Sequence, residues 1–81
     1  MESYVGRYDY GAAVLTVTRE GQRLFAQLSG QPKFEIFAQS ENEFFWKVVA
    51  AKVTVIKDAS GRVTKGIHEQ AGRTIEAPKI E

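Results

Sequence analysis

The 81 residues include no cysteine, one histidine, one tryptophan and two prolines. Without cysteine there is no disulfide framework and no thiolate zinc site, although the compartment stays open because cysteine-free domains occur inside and outside the cell. A chain this short, unstapled, is near the lower limit for a self-sufficient core. One β-barrel domain over residues 1–81 is expected, leaning on a partner or a parent chain. Charge of one sign is also lacking: 11 basic residues are scattered among 10 acidic ones, for a formal +1. No basic stripe results, so nucleic acid is not an expected partner. No apolar run is long enough to span a membrane, and residues 1–15 lack the layout of a signal peptide. A soluble chain with no membrane contact is therefore expected, any export signal belonging to a longer precursor.

Reactive groups are equally sparse. A nucleophilic triad would have only His68 as its base, and no elbow motif surrounds Ser3, Ser29, Ser40 or Ser60. Ser60 and Asp58 share a turn, but nothing there activates the hydroxyl. His68 has no companions for a metal site and reads as a half-exposed strand residue. Glu41, Glu43, Glu76 and Glu81 read as solvated carboxylates. Gly30-Gln31-Pro32-Lys33 precedes a strand and not a helix, so it reads as a hairpin loop, not a phosphate cradle. No catalytic residue, metal or cofactor is expected.

What the chain does have is turn signals about every ten residues, separating short stretches rich in Val, Ile, Thr, Phe and Tyr. This predicts eight strands, near 4–10, 13–19, 22–29, 33–38, 43–49, 52–57, 62–69 and 73–79. Eight antiparallel strands with short turns close into an up-and-down barrel with an interior wide enough for side chains or one small ligand. Folding the sequence on its turns aligns apolar residues. A loop at Gly11-Ala12 sets Tyr8 opposite Leu15 and Gly6 opposite Val17; one at Glu20-Gly21 sets Val17 opposite Leu24 and Leu15 opposite Ala26. Later turns place Leu28 by Phe34 and Val48, Ala26 by Ile36 and Trp46, and Val48 by Val53. In the last hairpin Val63, Lys65, Ile67 and Glu69 share a face; Lys65 fits a core poorly, and a bulge near Lys65-Gly66 would relieve it. A rival reading exists at Ser40-x-x-Glu43, a capping box followed by FFWKVVAAK as an amphipathic helix. The β-branched run VTVI directly after it favours strands.

The segments YVGRY, LTVTREGQRLFAQLSGQPKFEIF, the FF of NEFFW, DASGRVT and HEQAGR resemble an uncharacterised accessory domain family found at the C-terminus of bacterial serine hydrolases of the beta-lactamase and penicillin-binding-protein type. The resemblance is strongest from Leu15 to Phe37. It implies a small lipocalin-like barrel serving a catalytic domain, usually outside the cytoplasm. No hydrolase is attached here, so an excised domain or a free-standing relative with a separate partner is expected.

Three groups of side chains are candidates for function. Tyr8, Phe34, Phe44 and Trp46, with Tyr10, either fill the barrel or line a cup for a small apolar ligand. Gly6, Tyr8, Glu69 and Arg73 are expected to close the barrel: a three-residue loop at Gln70-Ala71-Gly72 would put Arg73 opposite Glu69 on the inner face and over Tyr8. Phe25, Phe37, Phe45 and Ile56 are expected to pair in one outer row, large enough to mark a contact surface. The resulting expectation is a non-enzymatic accessory or interaction domain, binding a hydrolase domain or a second copy of itself as a homodimer. The alternative is a miniature carrier of a small apolar ligand. A third reading, a five-stranded Greek-key barrel stacking bases on its aromatics, ranks below both.

Overall fold

The computed structural model describes residues 5–81, so Tyr4 of the segment YVGRY lies outside the described residues. The described chain is all-β: β1 (Gly6–Asp9), β2 (Val14–Glu20), β3 (Arg23–Leu28), β4 (Phe34–Ser40), β5 (Glu43–Trp46), β6 (Ala51–Lys57), β7 (Val63–Gln70) and β8 (Arg73–Pro78). They form one sheet in sequence order with every neighbour antiparallel. This is an up-and-down meander, not a Greek key.

Period-two burial explains the sheet. In β2 Leu15 and Val17 are buried between half-exposed neighbours, and Phe44 and Trp46 in β5 and Ala51, Val53 and Val55 in β6 repeat the pattern. Tyr8, Phe44, Ile36, Val17 and Val53 are the largest fully buried side chains. Burying each such side chain contributes about 1.5–3 kcal/mol, which is what an unstapled domain of this size depends on.

Closure comes from the last three residues. Lys79 bridges Tyr8, the Ile80 amide donates to the Arg7 carbonyl at 2.8 Å, and the Arg7 amide donates to the Glu81 carbonyl at 3.3 Å. Gly6 permits this approach, because a Cβ there would lie 2.1 Å from the Glu81 carbonyl oxygen, and its φ of +145° also suits glycine. Glu69 and Arg73 take no part in closure, which corrects the expected arrangement. Arg73 pairs with Gln70 across a two-residue Ala71-Gly72 loop, is exposed, and lies at the opposite end of β8 from Lys79. The stagger that lets strands close a barrel carries the β7–β8 hairpin beyond the end of β1, so Arg73 never meets Tyr8.

The β1–β2 register is as expected, with Gly6 on Val17 and Tyr8 on Leu15, as is Ile36 on Trp46. Elsewhere the pairing slides by an even number of residues. The β2–β3 loop is Gly21-Gln22, so Val17 meets Ala26 and Leu15 meets Leu28; in the next hairpin Leu24 meets Ile36 and Ala26 meets Phe34. An even slip keeps each side chain on its face, so the core survives the error. Two aromatic pairings of the outer row do not survive it. Phe25 lies opposite Glu35 and Phe45 opposite Lys52, while Ile56 sits opposite Lys65 on the next hairpin. Phe37 and Phe45 do pair, with ring centroids 5.9 Å apart.

No helix follows Ser40. Its hydroxyl accepts the Asn42 amide at 3.2 Å, so the cap residue serves a hairpin turn instead. Strand β5 stops at Trp46 and residues 47–50 form a turn, which leaves Val48 out of register with Val53. In β7 the pairing shifts between Ile56–Lys65 and Lys57–Val63, one or two residues before the expected bulge. Past it Gly66 and His68 face inward, while Lys65 turns out to Glu76 at 2.7 Å and Glu69 to Lys52 at 3.4 Å.

Candidate functional site

The two ends of the barrel differ. Tyr8 and Phe44 plug the closed end and the middle, where their side chains are almost wholly buried. At the other end, bounded by the loops after β1, β3, β5 and β7, a cavity of about 170 Å³ opens to solvent. Its walls include Leu15, Leu28, Phe34 and Trp46, and Pro32, Val48 and Val49 reach it from the loops. The opening follows from the early end of β5. In the turn that follows, Val48 stands 64% exposed at the rim, with Val49 at 45% and Phe34 at 38%.

Of the four aromatic residues expected to line or fill the barrel, Phe34 and Trp46 border this cup, whereas Tyr8 and Phe44 pack beneath it. Trp46 joins the two layers, 5.8 Å from the Phe44 ring and 5.3 Å from the His68 ring between centroids.

One wall is polar. The Tyr10 hydroxyl lies 2.8 Å from His68 Nδ1, and His68 Nε2 lies 3.0 Å from Gln70 Oε1. A carboxamide oxygen only accepts, so Nε2 donates to Gln70 while Nδ1 meets the tyrosine hydroxyl. Burial, and secondarily the neighbouring Tyr8, push the Tyr10 phenol well above its usual range, so it stays protonated. The imidazole thus links the two side chains. The sequence hides this chain of contacts because the bulge in β7 decides whether His68 faces in or out. The nearest signal is the even spacing of Gly66, His68 and Gln70.

The serines are engaged in turns. Ser29 Oγ donates to the Val14 carbonyl and accepts the Val14 amide, and Ser60 Oγ donates to Asp58 at 2.7 Å. Ser3 lies outside the described residues. Among the described residues no group of three or more His, Cys, Asp and Glu side chains is placed to hold a metal.

On the outer face, Phe25, Phe37 and Phe45 are half-buried and Ile56 is exposed. Cations cover two of the rings: Lys33 Nζ lies 4.8 Å from the Phe25 centroid and Lys47 Nζ 4.2 Å from that of Phe37.

Residues 1–77 match the family described as Domain of unknown function (DUF3471). The chain is a DUF3471 domain. No curated protein and no solved structure matches it.

Proposed function

We propose that this DUF3471 domain is a non-catalytic accessory module that binds a serine hydrolase of the beta-lactamase or penicillin-binding-protein type, in a bacterial and extracytoplasmic setting. The resemblance of its sequence segments supports the partner. The observation that carries a binding role is the apolar open end, where Phe34, Val48 and Val49 stand exposed around the cup. Apolar side chains gathered at one site mark a contact surface more readily than scattered ones. The outer aromatic row is the weaker surface, since Glu35 and Lys52 interrupt it and cations cover its rings. A second copy of the domain is the other candidate occupant of the rim.

The test is a co-purification of the domain with the hydrolase encoded beside it or joined to it. Phe34→Ser with Val48→Ser should loosen that complex in calorimetry while the domain stays folded, and Phe37→Ser with Phe45→Lys should not. Cleavage of nitrocefin or a nitrophenyl ester by the domain alone, lost on His68→Ala, would refute the non-catalytic reading.

A second reading, a carrier of a small apolar ligand, is favoured by the cup itself. Its apolar walls and volume of about 170 Å³ compare with cavities of roughly 150 Å³ that take up benzene.

A further inference from the structure

The cup has a chemical character beyond being apolar. Its volume of about 170 Å³ is that of a single ring and falls short of the roughly 300–1,000 Å³ of drug-sized sites. Two of its walls are aromatic, Phe34 and Trp46, with the His68 ring 5.3 Å from Trp46, an arrangement that favours edge-on or offset contact with another flat ring. None of its lining residues is Asp, Glu, Lys or Arg. A charged ligand would lose its hydration there without gaining an ionic partner, so the cup suits a neutral molecule.

The polar wall adds direction. In the Tyr10–His68–Gln70 chain, Gln70 Oε1 is taken by the imidazole, which turns the amide nitrogen with its two N–H donors away from the ring. The Tyr10 hydroxyl is likewise engaged with Nδ1. The donors this wall can offer a ligand are therefore those of Gln70, and they call for an acceptor.

Resting on the ligand reading above, we infer that the cup selects a neutral, single-ring aromatic compound bearing a hydrogen-bond acceptor, with the ring against Trp46 and Phe34 and the acceptor on the Gln70 amide. Three probes separate the parts of this claim: acetophenone has both ring and acceptor, toluene the ring alone, and butyl methyl ketone the acceptor alone. Each is titrated against the folded domain while the indole N–H of Trp46, the single tryptophan, is followed by NMR. Acetophenone should bind roughly three- to tenfold tighter than toluene, the worth of one neutral hydrogen bond, and tighter than the ketone. Gln70→Met should erase its advantage over toluene; Gln70 is exposed at a strand end, so the fold tolerates the change. Equal binding of acetophenone and toluene, an advantage that survives Gln70→Met, or a ketone that binds as well as acetophenone overturns the inference while a ligand site remains. If none of the three shifts the indole signal at millimolar concentration, the ligand reading falls with it.

Discussion

Val53 packs against Gly66 closely enough that a side chain on the glycine would press on the valine before it crowded the Tyr8 ring. A Cβ on Gly66 would lie 3.5 Å from Tyr8 Cδ2 and 3.0 Å from Val53 Cγ1. The first is ordinary contact; the second requires the valine to move. Since Tyr8 and Val53 are both almost fully buried, the core has little room to give. Gly66→Ala should cost about 1–3 kcal/mol, the usual range for overpacking. Urea unfolding should also show that Gly66→Ala and Val53→Ala together cost less than the sum of the two, because the second change empties the space the first needs. Strict additivity would mean that the glycine is not holding this contact.

That glycine also shows where the sequence stops being legible. Strand number, order and antiparallel pairing follow from turn spacing and alternation, and each inner-face residue from β1 to β6 except Val48 is readable because a two-residue slip preserves its face. Pair identity is not preserved by such a slip. The outer row failed there: Phe25 and Phe37 share a face, yet Glu35 and not Phe37 lies opposite Phe25. Arg73 failed because its expected neighbour depends on barrel stagger, which local patterning does not encode. The cup and its Tyr10–His68–Gln70 wall depend on where β5 ends and where β7 bulges, both set by packing across the barrel.

The turn at Ala71-Gly72 carries a correctable strain. Ala71 has φ of +53° and Gly72 of +76°, the combination a type I′ hairpin turn requires. Asn or Gly suits the first position, whereas a left-handed alanine costs about 1–2 kcal/mol. Ala71→Asn should therefore stabilise the domain by roughly 0.5–1 kcal/mol, a rise in Tm of a few degrees for a chain of this size. Calorimetry decides it, and a lower Tm would contradict the turn geometry.

Lys47 and Lys33 act on the outer face as covers, with their ammonium groups over Phe37 and Phe25. Lys47→Ala with Lys33→Ala should bare the Phe37 ring beside Phe45, leave Phe25 with only the Arg23 guanidinium 5.5 Å from its centroid, and promote association, so that the mass seen by light scattering rises with concentration. Adding Phe37→Ser and Phe45→Lys should reverse it. A double alanine variant whose mass matches the parent at every concentration would show that these rings need no cover. If the parent is already a dimer and Phe37→Ser with Phe45→Lys makes it monomeric, the outer pair, and not the rim, is the homodimer contact.

Tyr10 predicts how the domain responds to alkali. Its phenol is raised first by burial and second by Tyr8, whereas in the unfolded chain it ionises near its ordinary value of about 10. A group whose pKa is raised by folding contributes fully to stability below the unfolded pKa and loses that contribution as pH rises towards the folded one. From about pH 10 upward the unfolded state releases a proton that the folded state keeps, and stability should fall by up to about 1.4 kcal/mol per pH unit from this group. Tyr10→Phe removes the titration but leaves His68 Nδ1 without its hydroxyl partner, at a cost of about 1–3 kcal/mol. The variant should be less stable than the parent at neutral pH and lose less stability than the parent above pH 10. Urea midpoints across that range separate the two effects, since the lost hydrogen bond lowers the whole curve and the lost titration flattens its alkaline limb. Parallel curves for variant and parent would place the titrating phenol elsewhere and leave the polar wall of the cup without its protonated tyrosine.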